Sequence, residues 1–275
     1  MEESIMARNL EFQARQLVGK NYGVAQKTTE KLLSNIKSIS TFLEKTFGLQ
    51  RIGDVKSHMV NSYFENMKAS GYSSSTMSSH SNAWRVIAEA VGKRNIVPRA
   101  NSELGISRID RYSPKTANTE RINDIRQALY DKSENLGSAH DMRVAFGLRS
   151  MESIRSSKTE NIGGKEFLRV EGAKGGRPRL LEINSQEQRD AIQRVQAIAE
   201  RQHTQGLIPA DKSLKQFYNI QKNTLSNLRA TKSNGANMHV LRHSYAQQMS
   251  KNGTSDKELA EILGHGREEV VRHYK

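Results

Sequence analysis

Cysteine is absent from the 275 residues, which excludes disulfides, thiolate metal sites and cysteine nucleophiles. Also missing is any run approaching the ~18 apolar residues that a membrane-spanning helix needs. The opening MEESIMARNLEF is mixed in charge and holds no apolar stretch, so no secretory leader is expected. The reading is of a soluble, cytosolic protein with no membrane partner. Aromatic residues make up 6% of the chain and apolar residues 35%, low values that suit a helical protein with a wet, charged surface. Acidic residues are in deficit, 29 against 43 Lys and Arg, for a formal net charge of +14. Basic proteins of this size most often bind nucleic acid, with ribosomal and membrane-surface proteins as rivals. The excess is not a tail: residues 1–112 hold 16 basic and 10 acidic residues and the remainder 27 and 19. Two basic modules gripping one polyanion fit that distribution. There is no internal repeat.

Residues 1–95 read as a bundle of four helices. The clearest covers 25–47, where Leu32, Ile36, Ile39 and Leu43 form one stripe widened by Leu33, Phe42 and Phe47, with Gly48 as its stop. A helix at about 55–69 puts Val55, Met59, Val60, Tyr63, Phe64 and Met67 on one side. The next opens at Ser73-Ser74-Ser75-Thr76, a run of N-cap residue types, and carries Trp84, Val86, Ile87 and Val91. Residues 96–117, with Pro98, Gly105 and Pro114, lose periodicity and read as an interdomain linker. From 118 helices are expected at 119–132, 138–148, 185–203, 211–229, 239–252, 255–264 and 267–274. The convincing strand signals are Phe167–Val170 and Leu180–Ile183, joined by the glycine-rich Ala173 to Pro178. That hairpin displays Lys174, Arg177 and Arg179 near its tip.

Phosphate-directed residues recur along this second part. Arg149 precedes Glu152 by three, so the two can meet along a helix edge. His239 and Arg242 share a helix face at i and i+3, His265 stands between Gly264 and Gly266, and Tyr274 follows nine residues later. Taken singly, each has a bland reading. Arg149 with Glu152 would be a surface ion pair, Lys174 a solvated turn lysine, His239, Arg242 and His265 helix-surface or terminal groups, and Tyr274 a packing residue. The His239-x-x-x-His243 pair lacks the glutamate of a zinc-protease helix, and no Asp/Glu cluster suits a two-metal nuclease, so no metal is expected.

The order and spacing of these residues carry a resemblance. Ala145-Phe146-Gly147-Leu148-Arg149-Ser150-Met151-Glu152 resembles the first arginine motif of the tyrosine recombinases, the phage integrases and Xer-type enzymes. Gly172-Ala173-Lys174-Gly175-Gly176-Arg177 is similar to their hairpin lysine segment. His239-Val240-Leu241-Arg242-His243-Ser244 resembles their H-x-L-R-H-[ST] box and Leu263-Gly264-His265 their L-G-H box, and Tyr274 falls at the nucleophile position. The resemblance implies a mainly α fold with a small β-hairpin or sheet in the catalytic domain. It implies two domains: a helical core-binding domain at 1–95, the linker 96–117, and a DNA breaking-rejoining domain at 118–275.

The function it implies is site-specific DNA recombination, by an integrase of a mobile element or a Xer-like resolvase, through a 3′-phosphotyrosyl intermediate and without metal, ATP or other cofactor. Tyr274 is the implied nucleophile, Arg149 and Arg242 with His265 the phosphate ligands, Lys174 the general acid and His239 an aid to proton transfer. Glu152 and His243 support them. The expected partners are double-stranded DNA bearing a recombination site, further copies of the chain as dimer to tetramer on that DNA, and accessory DNA-bending or directionality proteins. The expected location is the cytoplasm, at the nucleoid. Arg85, Arg177 and Arg179 are expected to contact DNA, and Ser73 to Ser79 with His80 offer a polar helix start that suits phosphate. Two features depart from the family pattern. Val271 replaces the usual small hydroxyl residue three before the nucleophile, and one residue follows Tyr274 where relatives continue into a tail that docks on a neighbouring subunit. The rival readings are a type IB topoisomerase, which shares the chemistry, and a non-cutting DNA-binding or recombination-activating protein.

Overall fold

The computed structural model describes residues 9–19, 26–107, 115–172 and 178–274. The chain divides into two compact units at residue 110. The fold is mainly helical with one small antiparallel sheet. Among the described residues, no helix is long and apolar enough to cross a membrane.

The first unit is built from α1 (Leu10–Val18), α2 (Gln26–Phe47), α3 (Ser57–Ala69) and α4 (Ser74–Ala90). The stripe on α2 drives its assembly: Ile36, Ile39 and Leu43 are fully buried against Val60 and Phe64 of α3 and Trp84 and Ile87 of α4. Ser73 caps α4, its hydroxyl accepting from the Thr76 backbone N–H at 3.2 Å. Residues 96–106, read above as the start of a linker, pack on this bundle. Val97, Leu104 and Ile106 are buried in its core, and a short 3-10 helix, Asn101–Leu104, stops at Gly105 in the left-handed conformation. Scattered apolar residues there hide the signal, because their burial follows no helical period.

The second unit holds α5 (Thr119–Lys132), α6 (Glu134–Phe146), α7 (Ser150–Arg155), β1 (Thr159–Ile162), β2 (Lys165–Val170), β3 (Arg179–Glu182), α8 (Gln186–Gln202), α9 (Leu214–Asn227), α10 (Met238–Lys251) and α11 (Asp256–Ile262). The sheet order is β1-β2-β3, all antiparallel, with Leu168 opposite both Thr159 and Leu181. Strand β1 is the element the sequence hid: Thr-Glu-Asn-Ile is short and polar, half-buried to exposed along its length, and carries no apolar alternation. Helix α6 is central, with Leu136, Ala139, Met142 and Phe146 buried in the main core. It starts at 134 rather than 138, and its buried residues run nearly all round it, which erases an amphipathic pattern. A second, smaller core joins α10 and α11 to the chain's last turns through Ala246, Leu259, Leu263, Val271 and Tyr274. Those last turns form a 3-10 helix, Glu268–His273, where an α-helix over 267–274 was expected. Val271 is fully buried in this small core, which gives the apolar side chain at that position its place.

Candidate active site

The site begins where α6 ends. Gly147 closes that helix at φ 61°, and a Cβ there would stand 2.5 Å from the Tyr245 ring, so both conformation and space demand glycine. The chain then turns so that Arg149 is the N-cap residue of α7. Glu152, three residues on, accepts from the Arg149 backbone N–H at 2.9 Å and from its Nη1 at 2.9 Å. This is the expected pairing, but made across a helix start. It satisfies a free N-terminal donor while fixing the guanidinium. Glu152 is fully buried. Burial alone would raise its pKa. The hydrogen bond and charge of Arg179, then those of Arg149, overcome this and hold the carboxyl at about 2.

Helix α10 supplies the next group. Asn237 caps it, accepting from the backbone N–H groups of His239 at 3.0 Å and Val240 at 2.9 Å. Arg242 is 1% exposed. Its Nη1 donates to the Gly147 carbonyl at 2.8 Å, and its Nη2 donates to the Leu263 carbonyl and to His265 Nε2, the latter at 3.2 Å. One guanidinium thus ties the end of α6, the helix carrying it and the end of α11. Burial first, then the Arg149 charge, lower its pKa to about 10, which leaves it charged at neutral pH. Because arginine can only donate, His265 Nε2 is the acceptor and the neutral ring carries its proton on Nδ1.

Helix α11, capped by Ser255, ends at Gly264 in the left-handed region, which turns His265 back toward Arg242. The last turns then bring Tyr274 over the same place. Its ring centroid is 4.7 Å from that of His243, 5.3 Å from His265 and 5.8 Å from His239, and the Arg242 Cζ lies 5.6 Å from it. Tyr274 is 6% exposed. All three imidazoles are driven toward the neutral form. Burial is the main cause in each, aided by neighbouring cations, and His243 and His265 fall to about 4. The result is two arginines holding the fixed positive charge, neutral imidazoles as hydrogen-bonding and proton-accepting groups, and one phenol among them. Such a set can bind an anionic tetrahedral group and attack it.

Arg149, Glu152, His239, Arg242, His243, His265 and Tyr274 are therefore brought together. Lys174 and Arg177 lie outside the described residues. Two of the residues expected to contact DNA have partners inside the protein. Arg179 faces inward, its side chain 9% exposed, with both terminal nitrogens on Glu152. Strand alternation holds the signal that was missed, since Arg179 and the buried Leu181 share one face. Arg85 is committed to its own unit: it donates to the carbonyls of Pro98 and Arg99 and to Asn101 Oδ1, fastening α4 to the segment after it. His80 is likewise buried, with its Nδ1 2.8 Å from the Tyr63 hydroxyl. Sequence reasoning also passed over Tyr245, whose ring fills the space that Gly147 leaves.

An Arg–Glu pair at a helix start, a buried arginine on a histidine helix, a Gly-His turn and a tyrosine ring packed against the last two are the parts of a tyrosine recombinase. The family model for integrases matches residues 105–248, more than half of the chain, and the chain belongs to that family. His265 and Tyr274 lie beyond the matched residues, so their membership of the site rests on the geometry above. No curated protein matches the chain. Solved structures of similar fold include the XerH site-specific recombinase bound to a palindromic difH substrate in a post-cleavage complex, at 16% identity over 98% of this chain and 90% of that one, with a TM-score of 0.63. A lambda integrase tetramer bound to a Holliday junction is similar at 16% identity over 92% and 73%, TM-score 0.62. The Tn1549 transposon integrase in complex with circular intermediate DNA is similar at 16% identity over 95% and 94%, TM-score 0.61. At these identities the likeness is one of fold.

Proposed function

We propose that this integrase-family chain cleaves and rejoins duplex DNA at a specific site, with Tyr274 as nucleophile. The observation that carries the reading is the placement of the Tyr274 ring against Arg242, His239, His243 and His265. The Tyr274 hydroxyl oxygen forms a bond to the scissile phosphorus as the bond from phosphorus to the 5′-oxygen breaks. The phenolic proton passes to His239, and Lys174 protonates the departing 5′-oxygen. Arg149 and Arg242 face the non-bridging oxygens, where charge accumulates, and His265 hydrogen-bonds beside them. Glu152 holds Arg149, and His243 packs against the phenol ring. The phosphodiester bond energy is kept in the phosphotyrosyl link, so a 5′-hydroxyl from a second strand reverses the step without ATP.

The structural relatives are described as a dimer, a tetramer and substrate complexes on DNA, which supports self-association of this chain on its own site. Accessory DNA-bending or directionality proteins belong to the same reading, and the nucleoid is the place of action.

The test starts by selecting bound fragments from host genomic DNA and building nicked suicide duplexes from them. The wild-type chain is expected to form a covalent adduct on the selected duplex, and Tyr274→Phe is expected to form none. Binding without an adduct on every selected duplex would leave a DNA-binding protein only. An adduct without site preference, together with plasmid relaxation, would make it a topoisomerase.

A further inference from the structure

Arg179 opens β3, and its guanidinium is spent entirely inside the protein. Nη1 and Nη2 donate to Glu152 Oε1 and Oε2 at 3.1 and 2.9 Å, and Nε donates to the Ile262 carbonyl at 2.7 Å. A Cβ on Gly264 would stand 2.9 Å from Nη1, so the turn that presents His265 is moulded directly on this side chain. We infer that Arg179 is a positioning residue for strand cleavage: it sets the charge and direction of Arg149 through Glu152, and fixes the His265 turn through Ile262 and Gly264. This rests on the Tyr274 chemistry proposed above.

The charge argument is what separates positioning from mere bracing. Glu152 is a fully buried carboxylate that accepts from Arg149. With Arg149 as its only cation, the pair would present almost no net charge to a phosphate. Arg179 takes the other lone pairs of the same two oxygens, and the triad Arg149–Glu152–Arg179 keeps one net positive charge, exposed only on the Arg149 side. Arg149 retains 29% side-chain exposure against 9% for Arg179, so the surplus faces outward. A buried ion pair is in general a weak source of stability, because desolvation offsets the Coulomb gain. Two satisfied charges, Glu152 and Arg179, behind one catalytic arginine fit orientation better. The position in the chain adds a further link. Arg179 follows Lys174 by five residues in the sequence and is the first residue of β3, so one anchor serves both the strand after the general acid and the arginine opposite.

The experiment compares two suicide duplexes, one with the ordinary scissile phosphate and one with a methylphosphonate, whose reacting group is neutral. If Arg179 acts by aiming and charging Arg149, Arg179→Met slows adduct formation on phosphate by ~100-fold, the cost of a misaligned catalytic group. On methylphosphonate, where there is less charge for Arg149 to meet, the loss shrinks to within about tenfold. Arg179→Lys, which keeps the charge but not the fork, recovers part of the rate on phosphate. Equal losses on the two duplexes would overturn the inference in favour of a purely structural strut, and so would wild-type rates on both. Should the methionine variant not fold, Arg179→Lys carries the same phosphate-against-methylphosphonate comparison. A wild-type chain that forms no adduct on any selected duplex overturns the proposed function, and the positioning role with it.

Discussion

At the scale of single residues, the site is a place where imidazoles are kept neutral by design of their surroundings. His243 and His265 are held at about 4, in both cases first by burial; repulsion against a protonated His239 and the Lys115 charge add to it at the former, and Arg242, Arg149 and Arg179 add theirs at the latter. His140, at the buried side of α6, falls to about 3 for the same leading reason. In the unfolded chain all three titrate near 6.5, so acid protonates the unfolded state first. Stability is therefore unchanged by these groups above about 6.5 and is lost as pH falls from there toward about 4. Each unit of depression corresponds to ~1.4 kcal/mol at full effect, and partial exposure of His265 reduces its share. Melting temperature measured from pH 7.5 down to 4 is expected to fall through this window and to fall less in His140→Leu, which removes the most buried imidazole without touching the site. A melting temperature that stays level between 6.5 and 4 would contradict the buried neutral state. Glu152 works in the same sense at lower pH: its stabilisation is fully present above the usual carboxylate range and is lost as pH falls from there toward about 2.

At the scale of elements, the site depends on where helices stop. The end of α6 offers the Gly147 carbonyl to Arg242 at 2.8 Å and the start of α7 offers Arg149, so two groups that meet the phosphate in the proposed chemistry are set by one turn. Gly147→Ala places a Cβ in the left-handed region and against the Tyr245 ring. It is expected to cost ~1–3 kcal/mol of stability, read by urea unfolding, and to slow adduct formation by more than that loss of folded protein explains. Unchanged cleavage in the folded fraction would show that the turn does not position Arg242. Much of this arrangement is legible in the sequence. The stripe on α2 and the cap run at Ser73 mark helices, and the glycines at 48 and 264 mark helix stops, because each obeys a local rule. What escaped obeys only tertiary rules. Strand β1 is polar and gains its place from pairing with β2. Residues 96–106 are buried without periodicity, and Arg179 looked like a hairpin cation until Glu152 stood opposite it. An arginine near a glycine-rich turn reads as solvent-facing unless its phase with Leu181 is weighed, and the phase matters more than the charge.

At the scale of the whole molecule, the excess of basic residues in both parts of the chain, which sums to a net charge of +14, makes a quantitative demand on DNA binding. A duplex carries a condensed layer of counterions, and every phosphate that a lysine or arginine neutralises releases some of them, so log affinity falls linearly with log salt, by ~0.9 per phosphate met. If both units grip the backbone, several contacts act at once. Affinity for the selected duplex is then expected to drop on the order of 1,000-fold between ~50 and ~200 mM salt. The same titration on a random duplex should give weaker binding at every salt concentration but nearly the same slope, because base contacts add affinity without releasing phosphate counterions. Arg85 and Arg179 are expected to add nothing to that slope, because their guanidinium groups are already committed to carbonyl and carboxylate oxygens. Replacing Arg85 with Met should leave the salt slope untouched while lowering the melting temperature, since the fork that fastens α4 to Pro98 and Asn101 is lost. A slope that falls by about one per substitution would instead put Arg85 on the DNA, and a wild-type affinity that changes less than about tenfold over the same salt range would remove the polyanion from both units.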